Sequence, residues 1–314
     1  MSVSKRAKFF LKGLSNKISS KLLDKDFEYY HDKYWNDLLA IQRYINESAT
    51  DNPQTTWIED IPNRFPQHIP FERVLIVGCG NGWVERELYD LGIGKKFDAF
   101  DISTAHIEMA KNQKEDRNIN YFLDDMNDLK NIPFDQYDAV FNVGSLHHVF
   151  RLSRTIWTLH HSMKKDGLMF NFEYIGPAEN QYTDNHLRIL EKINSEINNR
   201  FSTIIPLRPN KKIFETGDPS EAINADLVRP TLLRFFRIIH TRDINGGIAY
   251  PILWNNIEEF EKNDDDAKKT LNFLIRCDQE LTKNDQVPTL FWYSVVAPKP
   301  KESIPYTEFL PKLC

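Results

Sequence analysis

Cysteine is scarce in this chain: Cys79, Cys277 and Cys314 are the only three in 314 residues, odd in number and far apart. They form no disulfide framework and no zinc-ligand spacing, which points to a reducing, cytoplasmic setting. No apolar run approaches the ~20 residues that a membrane-spanning helix needs. Positive charge is not in excess either. Lys and Arg number 40 against 45 Asp and Glu, a net charge of −5, and the pI is near 6.0. That argues against nucleic acid as a partner. There is no internal repeat and no low-complexity segment.

What is present is material for a large core. Apolar residues make up 41%, with 21 Phe, 12 Tyr and 6 Trp. The length suits one large domain with extensions. The first 23 residues differ from the rest, with Lys5, Arg6, Lys8, Lys12, Lys17 and Lys21 and no acid. Phe10, Leu14, Ile18 and Leu22 fall on one helical face. Such a basic amphipathic helix can lie peripherally on the inner face of an anionic membrane, or pack on its own domain. Phe9-Phe10-Leu11, interrupted by Lys12, is too short for a secretory signal.

The pattern predicts an aromatic helix over Phe27–Asn46, carrying Tyr30, Tyr34 and Trp35, then a proline-rich connector over 51–70. Alternation follows. Strands are expected at Arg73–Val77, Phe97–Asp101, Ile119–Leu123, Tyr137–Val143 and Gly167–Tyr174. Helices are expected at Gly82–Leu91, Thr104–Gln113, Leu152–Met163 and Asn185–Ile197. This alternation means a parallel sheet with helices on both faces. Phe201–Arg229 reads as irregular. Beyond it come a short helix from Leu232 running into a strand at Arg237–His240, a helix at Asp266–Leu281 and a strand at Leu290–Val296. The expected organisation is a helical extension or lid over 1–70, a main domain over 71–300 with an insert near 200–235, and a tail over 301–314.

In open parallel sheets, ligands bind beyond the carboxyl ends of the strands. The first strand runs into Gly78-Cys79-Gly80-Asn81-Gly82, a glycine turn whose backbone can approach a ligand closely. Asp101 closes the second strand 19 positions after Gly82, where a carboxylate can accept from both hydroxyls of a ribose. Asp124-Asp125-Met126 follows the third strand: an acid there can accept from an adenine amine, and Met126 can cover the ring. Asn142-Val143-Gly144-Ser145-Leu146-His147-His148 ends the fourth strand, and Glu173-Tyr174 the fifth.

The order and spacing of Val74–Trp83, Phe97–Ser103, Leu123–Met126, Tyr137–His148 and Lys165–Phe170 resemble class I S-adenosylmethionine-dependent methyltransferases. The resemblance is strong over Arg73–Glu173 and extends to Leu290–Pro298. It implies a Rossmann-like seven-stranded sheet, mostly parallel with an antiparallel last strand. It also implies S-adenosyl-L-methionine as cofactor. Gly78, Gly80 and Gly82 would line the methionine part; Asp101 the ribose; Asp125 or Asp124, with Met126, the adenine; and Asn142 or Val143 the region near the sulfonium, with Ile102 a further cofactor contact. Tyr34 and Trp35 would close over the site. No metal is expected, because adjacent residues on an extended chain point to opposite sides.

A methyl acceptor with a hydroxyl needs a base. His148, then His147, are the candidates, since histidine titrates near neutral pH; the alternative is a structural role at a helix start. Glu173 faces the acceptor side as a second base, or as an orienter of a sugar hydroxyl. Glu173–Pro177, Gln181, Asp184 and Asp218–Ala222 resemble a bacterial subgroup associated with surface-polysaccharide loci. The acceptor implied is a glycan precursor or small molecule. Nitrogen or carbon methylation is the nearest rival. A nicotinamide oxidoreductase would need G-x-G-x-x-G, whereas position 83 is Trp. A catalytically silent cofactor-binding protein is the third possibility.

Overall fold

The structure, a computed structural model, describes residues 34–197, 200, 201, 208, 218–254 and 256–303. The basic segment 1–23, Tyr30 and residues 202–207 and 209–217 of the expected insert lie outside them. Along the chain come α1 (Leu39–Thr50), α2 (Ile61–Arg64), β1 (Val74–Val77), α3 (Trp83–Asp90), β2 (Phe97–Asp101), α4 (Thr104–Gln113), β3 (Ile119–Leu123), β4 (Tyr137–Val143), α5 (Leu152–Ser162), β5 (Met163–Tyr174) and α6 (Asp184–Glu196). Then follow α7 (Ala225–Phe235), β6 (Phe236–Asn245), α8 (Ala249–Trp254), α9 (Ile257–Phe260), α10 (Asp265–Lys283) and β7 (Phe291–Pro298). No described helix is long and apolar enough to cross a membrane.

The strands form one seven-stranded sheet in the order β3-β2-β1-β4-β5-β7-β6, Rossmann-like and mostly parallel, with antiparallel last strands. β1 is an inner strand, and its Val-Leu-Ile-Val run is buried throughout. That is why it reads as a continuous apolar run instead of an alternation. The chain walks outward from β1 to β3, then crosses back to place β4 on the other side of β1. The carboxyl ends of β1 and β4 therefore flank the topological switch point, the favoured place for a ligand in such sheets.

Local chemistry sets the helix starts. Ser103 accepts from His106 N–H at the head of α4, and Thr183 does the same for α6. Asp264 accepts from Ala267 N–H, with Asp265 and Asp266 in the first turn of α10, where acids suit the helix dipole. Several boundaries differ from expectation. The expected helix through Asn46 is interrupted: Trp35–Asp37 form a 3-10 turn, Leu38 is extended, and α1 runs from Leu39 to Thr50. β5 starts at Met163, so α5 stops at Ser162. α7 begins at Ala225 and carries Pro230 inside it; a proline in the interior forfeits one hydrogen bond, which tertiary packing here outweighs. β6 runs on to Asn245. The six-residue α8 and four-residue α9 are too short to show a helical period.

The described residues divide into two compact units. The sheet unit comprises those of Ile58–Glu173, Asp226–Thr241 and Tyr293–Cys314; the helical unit those of Met1–Trp57, Tyr174–Ala225 and Arg242–Trp292. The helical unit has its own core, including Ile41, Leu190, Phe201, Ile252, Leu253 and Leu274. Within it, the buried Asp278 accepts from Gly246 N–H (2.8 Å), Ile248 N–H (2.6 Å) and the Tyr44 hydroxyl (2.8 Å). Burial raises the Asp278 pKa, and these donors oppose the rise.

Candidate active site at the strand ends

The glycine turn is shaped by what surrounds it. Gly78, Gly80 and Gly82 all have positive φ, at 60°, 53° and 82°, a region that side-chain-bearing residues rarely occupy. A Cβ on Gly78 would lie 2.6 Å from Ser145 Cβ, and one on Gly82 would lie 2.6 Å from the Tyr121 hydroxyl. Asp101 ties the turn to the end of β2. Its carboxylate accepts from Gly80 N–H (2.9 Å) and Ser103 N–H (2.9 Å), with His106 Nδ1 3.6 Å away. Burial works against the charge of Asp101, but the bonds from His106, Ser103 and Gly80 outweigh it and hold its pKa below the usual carboxylate value.

The two acids after β3 have different lives. Asp124 uses both oxygens on its own loop, accepting from the N–H groups of Asp125, Lys130 and Asn131. Asp125 uses only Oδ1, which accepts from the backbone and side chain of Asn127. Its Oδ2 has no hydrogen-bond partner among the described residues. The Met126 methyl lies 3.7 Å from where a Gly78 Cβ would sit, so Met126 reaches back to the glycine turn. Ile102, 60% exposed beside Asp101, and Leu123, 47% exposed at the end of β3, leave apolar surface at the strand ends.

The ends of β4 and β5 carry a buried polar network. Register sets Val77 level with Asn142, and Asn142 level with Asn171. Glu173 follows Asn171 on the same face, two residues on. Asn142 Nδ2 donates to Asn171 Oδ1 (2.7 Å) and to Glu173 Oε2 (2.9 Å). Leu146 N–H also donates to Glu173 Oε2, at 2.8 Å. Glu173 Oε1 lies 2.5 Å from His147 Nδ1. Gly144, at φ 61°, turns the chain out of β4 so that Leu146–His148 form one 3-10 turn over Glu173. The His148 ring lies tilted against that of His147, with ring centroids 4.2 Å apart. Val143 is half-buried at the strand end.

Tyr34 and Trp35 belong to the helical unit. Trp35 stacks on Phe291 at 5.3 Å and meets Tyr250 edge-on at 5.6 Å. It is a core residue there, and its packing is accounted for without a ligand. Tyr34 is half-buried, 6.5 Å from Trp254.

Residues 74–167 match the family model of a methyltransferase domain. The chain carries a methyltransferase domain. Its cofactor is S-adenosylmethionine. No curated protein sequence matches it. Among solved structures, a candidate sarcosine dimethylglycine methyltransferase from Galdieria sulphuraria is 11% identical at a TM-score of 0.52, covering 87% of this chain and 98% of its own. An S-adenosylmethionine-dependent methyltransferase from Mesorhizobium loti is 18% identical at a TM-score of 0.44, covering 72% and 90%. At 11% identity the likeness to the Galdieria protein is one of fold alone.

The residues of the methyltransferase fit this cofactor. Its nucleoside presents a ribose diol and an exocyclic amine, both hydrogen-bond donors. Asp101 and Asp125 Oδ2 present acceptors only. Exposed Ile102 and Leu123 offer apolar cover for a flat base.

One buried acid in the methyltransferase was not singled out by its sequence. Glu85, in the first turn of α3, is fully buried, and no hydrogen bond of ordinary geometry reaches either oxygen. Burial pushes its pKa from 4.5 up to about 7; nearby N–H groups and the Tyr121 hydroxyl oppose the rise only in part. The folded state thus binds a proton more tightly than the unfolded chain does. The stability this brings is complete below pH 4.5 and is lost as pH rises through about 7. Glu85→Gln is expected to be more stable than the parent by about 3 kcal/mol at pH 8 and similar at pH 4.5. Urea unfolding at the two pH values checks this, and equal midpoint shifts at both would refute it.

Proposed function

We propose that the methyltransferase places the methyl group on a hydroxyl oxygen of a sugar or glycan precursor, with His147 as general base. The observation that carries this reading is the fully buried Glu173 carboxylate 2.5 Å from His147 Nδ1. A carboxylate that holds Nδ1–H leaves Nε2 as the atom that accepts a proton, as in other base-and-orienter pairs. A neutral amine can attack with its own lone pair, whereas a hydroxyl gains from losing its proton during attack. A built base therefore favours oxygen over nitrogen. The sugar part of the reading rests on the sequence resemblance to glycan-associated relatives.

S-adenosylmethionine, when bound, supplies an electrophilic methyl carbon. The chain supplies position and charge. Gly78, Gly80 and Gly82 let the backbone approach the ligand, Asp101 accepts from the ribose hydroxyls, Asp125 from the adenine amine, and Met126 and Ile102 cover the base. Alignment of acceptor and methyl group carries most of the rate in such transfers, and His147 takes the acceptor proton. Asp124 serves its own loop.

The test uses cofactor labelled in the methyl group with two panels, sugar nucleotides and glycan precursors against small amines. Labelled ether product in the first panel is expected. Label found only on nitrogen or carbon acceptors would overturn the oxygen reading.

A further inference from the structure

Asn142 is fully buried, and its amide spends both N–H groups and its oxygen inside the protein. Nδ2 faces two acceptors, Asn171 Oδ1 at 2.7 Å and Glu173 Oε2 at 2.9 Å. Oδ1 faces one donor, the Ser145 hydroxyl at 2.6 Å. A reversed amide would set oxygen against the Glu173 carboxylate. Asn171 sustains this orientation at its own expense, because its Nδ2 is buried with no partner. Such orphaned donors are rare and call for an explanation. Turning Asn171 over would set its N–H groups against those of Asn142, so its orientation is fixed by the need of Asn142 for an acceptor.

Ser145 joins this network to the glycine turn. Its hydroxyl has one proton and two acceptors in reach, Asn142 Oδ1 and the Val77 carbonyl at 3.0 Å. Its Cβ fills the space that a Gly78 side chain would need.

We infer that Asn142 and Ser145 are positioning residues: by directing Asn142 Nδ2 at Glu173 they hold that carboxylate as the acceptor of His147 Nδ1–H, so that His147 presents Nε2, and they anchor this setting to the glycine turn. Asn142 thereby acts through Glu173 and His147, not through its side chain on the cofactor. The inference deepens the hydroxyl-transfer reading and rests on it for its catalytic meaning. The geometry of the proton on His147 can be read without any acceptor.

The experiment is nitrogen NMR of histidine-labelled protein, full length, with S-adenosylhomocysteine bound. Nitrogen shifts tell which ring atom carries the proton. In the parent, His147 is expected as the Nδ1–H form. Asn142→Asp sets a second carboxylate against Glu173, and His147 is expected to move to a mixture containing Nε2–H. Ser145→Ala removes a single oxygen, keeps the fold and is expected to shift the mixture the same way by less. In both variants the S-adenosylhomocysteine affinity stays close to that of the parent. Once an acceptor is known, kcat falls about tenfold or more with the cofactor KM unchanged. An unchanged His147 tautomer in the two variants overturns the inference. So does a large loss of S-adenosylhomocysteine affinity with the tautomer intact, which would make Asn142 a cofactor contact. A shifted tautomer in an enzyme that methylates no hydroxyl supports the positioning network and overturns only the hydroxyl reading.

Discussion

His147→Ala is expected to slow methyl transfer by about 10²–10⁴-fold, the usual worth of a positioned general base. The cofactor affinity should not change, since no assigned cofactor contact is lost. His148→Ala is expected to have a much smaller effect. Both histidines follow the same strand, and it is His147 whose Nδ1 meets the buried Glu173 carboxylate, at 2.5 Å. Glu173→Gln gives the intermediate case: the side chain keeps its shape, but an amide turned to accept Nδ1–H presents its N–H groups, not an oxygen, to Leu146 N–H and Asn142 Nδ2. Single-turnover rates with saturating cofactor separate these outcomes. Equal rates for His147→Ala and the parent would remove the base from the mechanism.

Asp101→Ala is expected to weaken S-adenosylhomocysteine binding by about 100-fold or more, corresponding to about 2.7 kcal/mol. Two losses combine. The ribose loses its acceptor, and Gly80 and Ser103 lose the carboxylate that ties the glycine turn to β2. Asp101→Asn isolates the charge, because it keeps the size while removing one acceptor. The pH dependence has a definite sign. The folded-state pKa of Asp101 is depressed, so its contribution to stability is present above the ordinary carboxylate value and is lost only as pH falls through the depressed one. Calorimetry on the two variants checks the assignment, and an affinity equal to the parent in Asp101→Ala would sink it.

These two residues differ in how far their roles can be read without coordinates. Asp101 is announced by local signals: an apolar strand, a glycine turn and an acid at the next strand end. The pairing of His147 with Glu173 is not. The two lie 26 residues apart, and nothing in Ser145-Leu146-His147-His148 tells which histidine turns inward. The sequence alone favours His148; the 3-10 turn after Gly144 brings His147 to the carboxylate. Asp124 and Asp125 are likewise indistinguishable as neighbours in a chain, and only the loop hydrogen bonds separate a structural acid from one with an oxygen to offer. Trp35 reads as part of an aromatic lid, yet Phe291 and Tyr250, more than 200 positions away, make it core. Glu85 is not singled out by the sequence, and only packing reveals that it is buried.

The sequence by itself determined the sheet, its strand ends and the glycine turn, because apolar runs, alternation and glycine or proline punctuation act over a few residues; the cofactor followed from the resemblance of those strand ends to a known family. The tertiary structure decided which polar groups meet. Asn142 finds Asn171 and Glu173 through the register of β4 on β5, and a slip of one residue would turn every side chain to the other face. That register is set by the packing of the whole sheet. The base, its orienter and the amide that steadies them therefore become visible only once the strands are side by side.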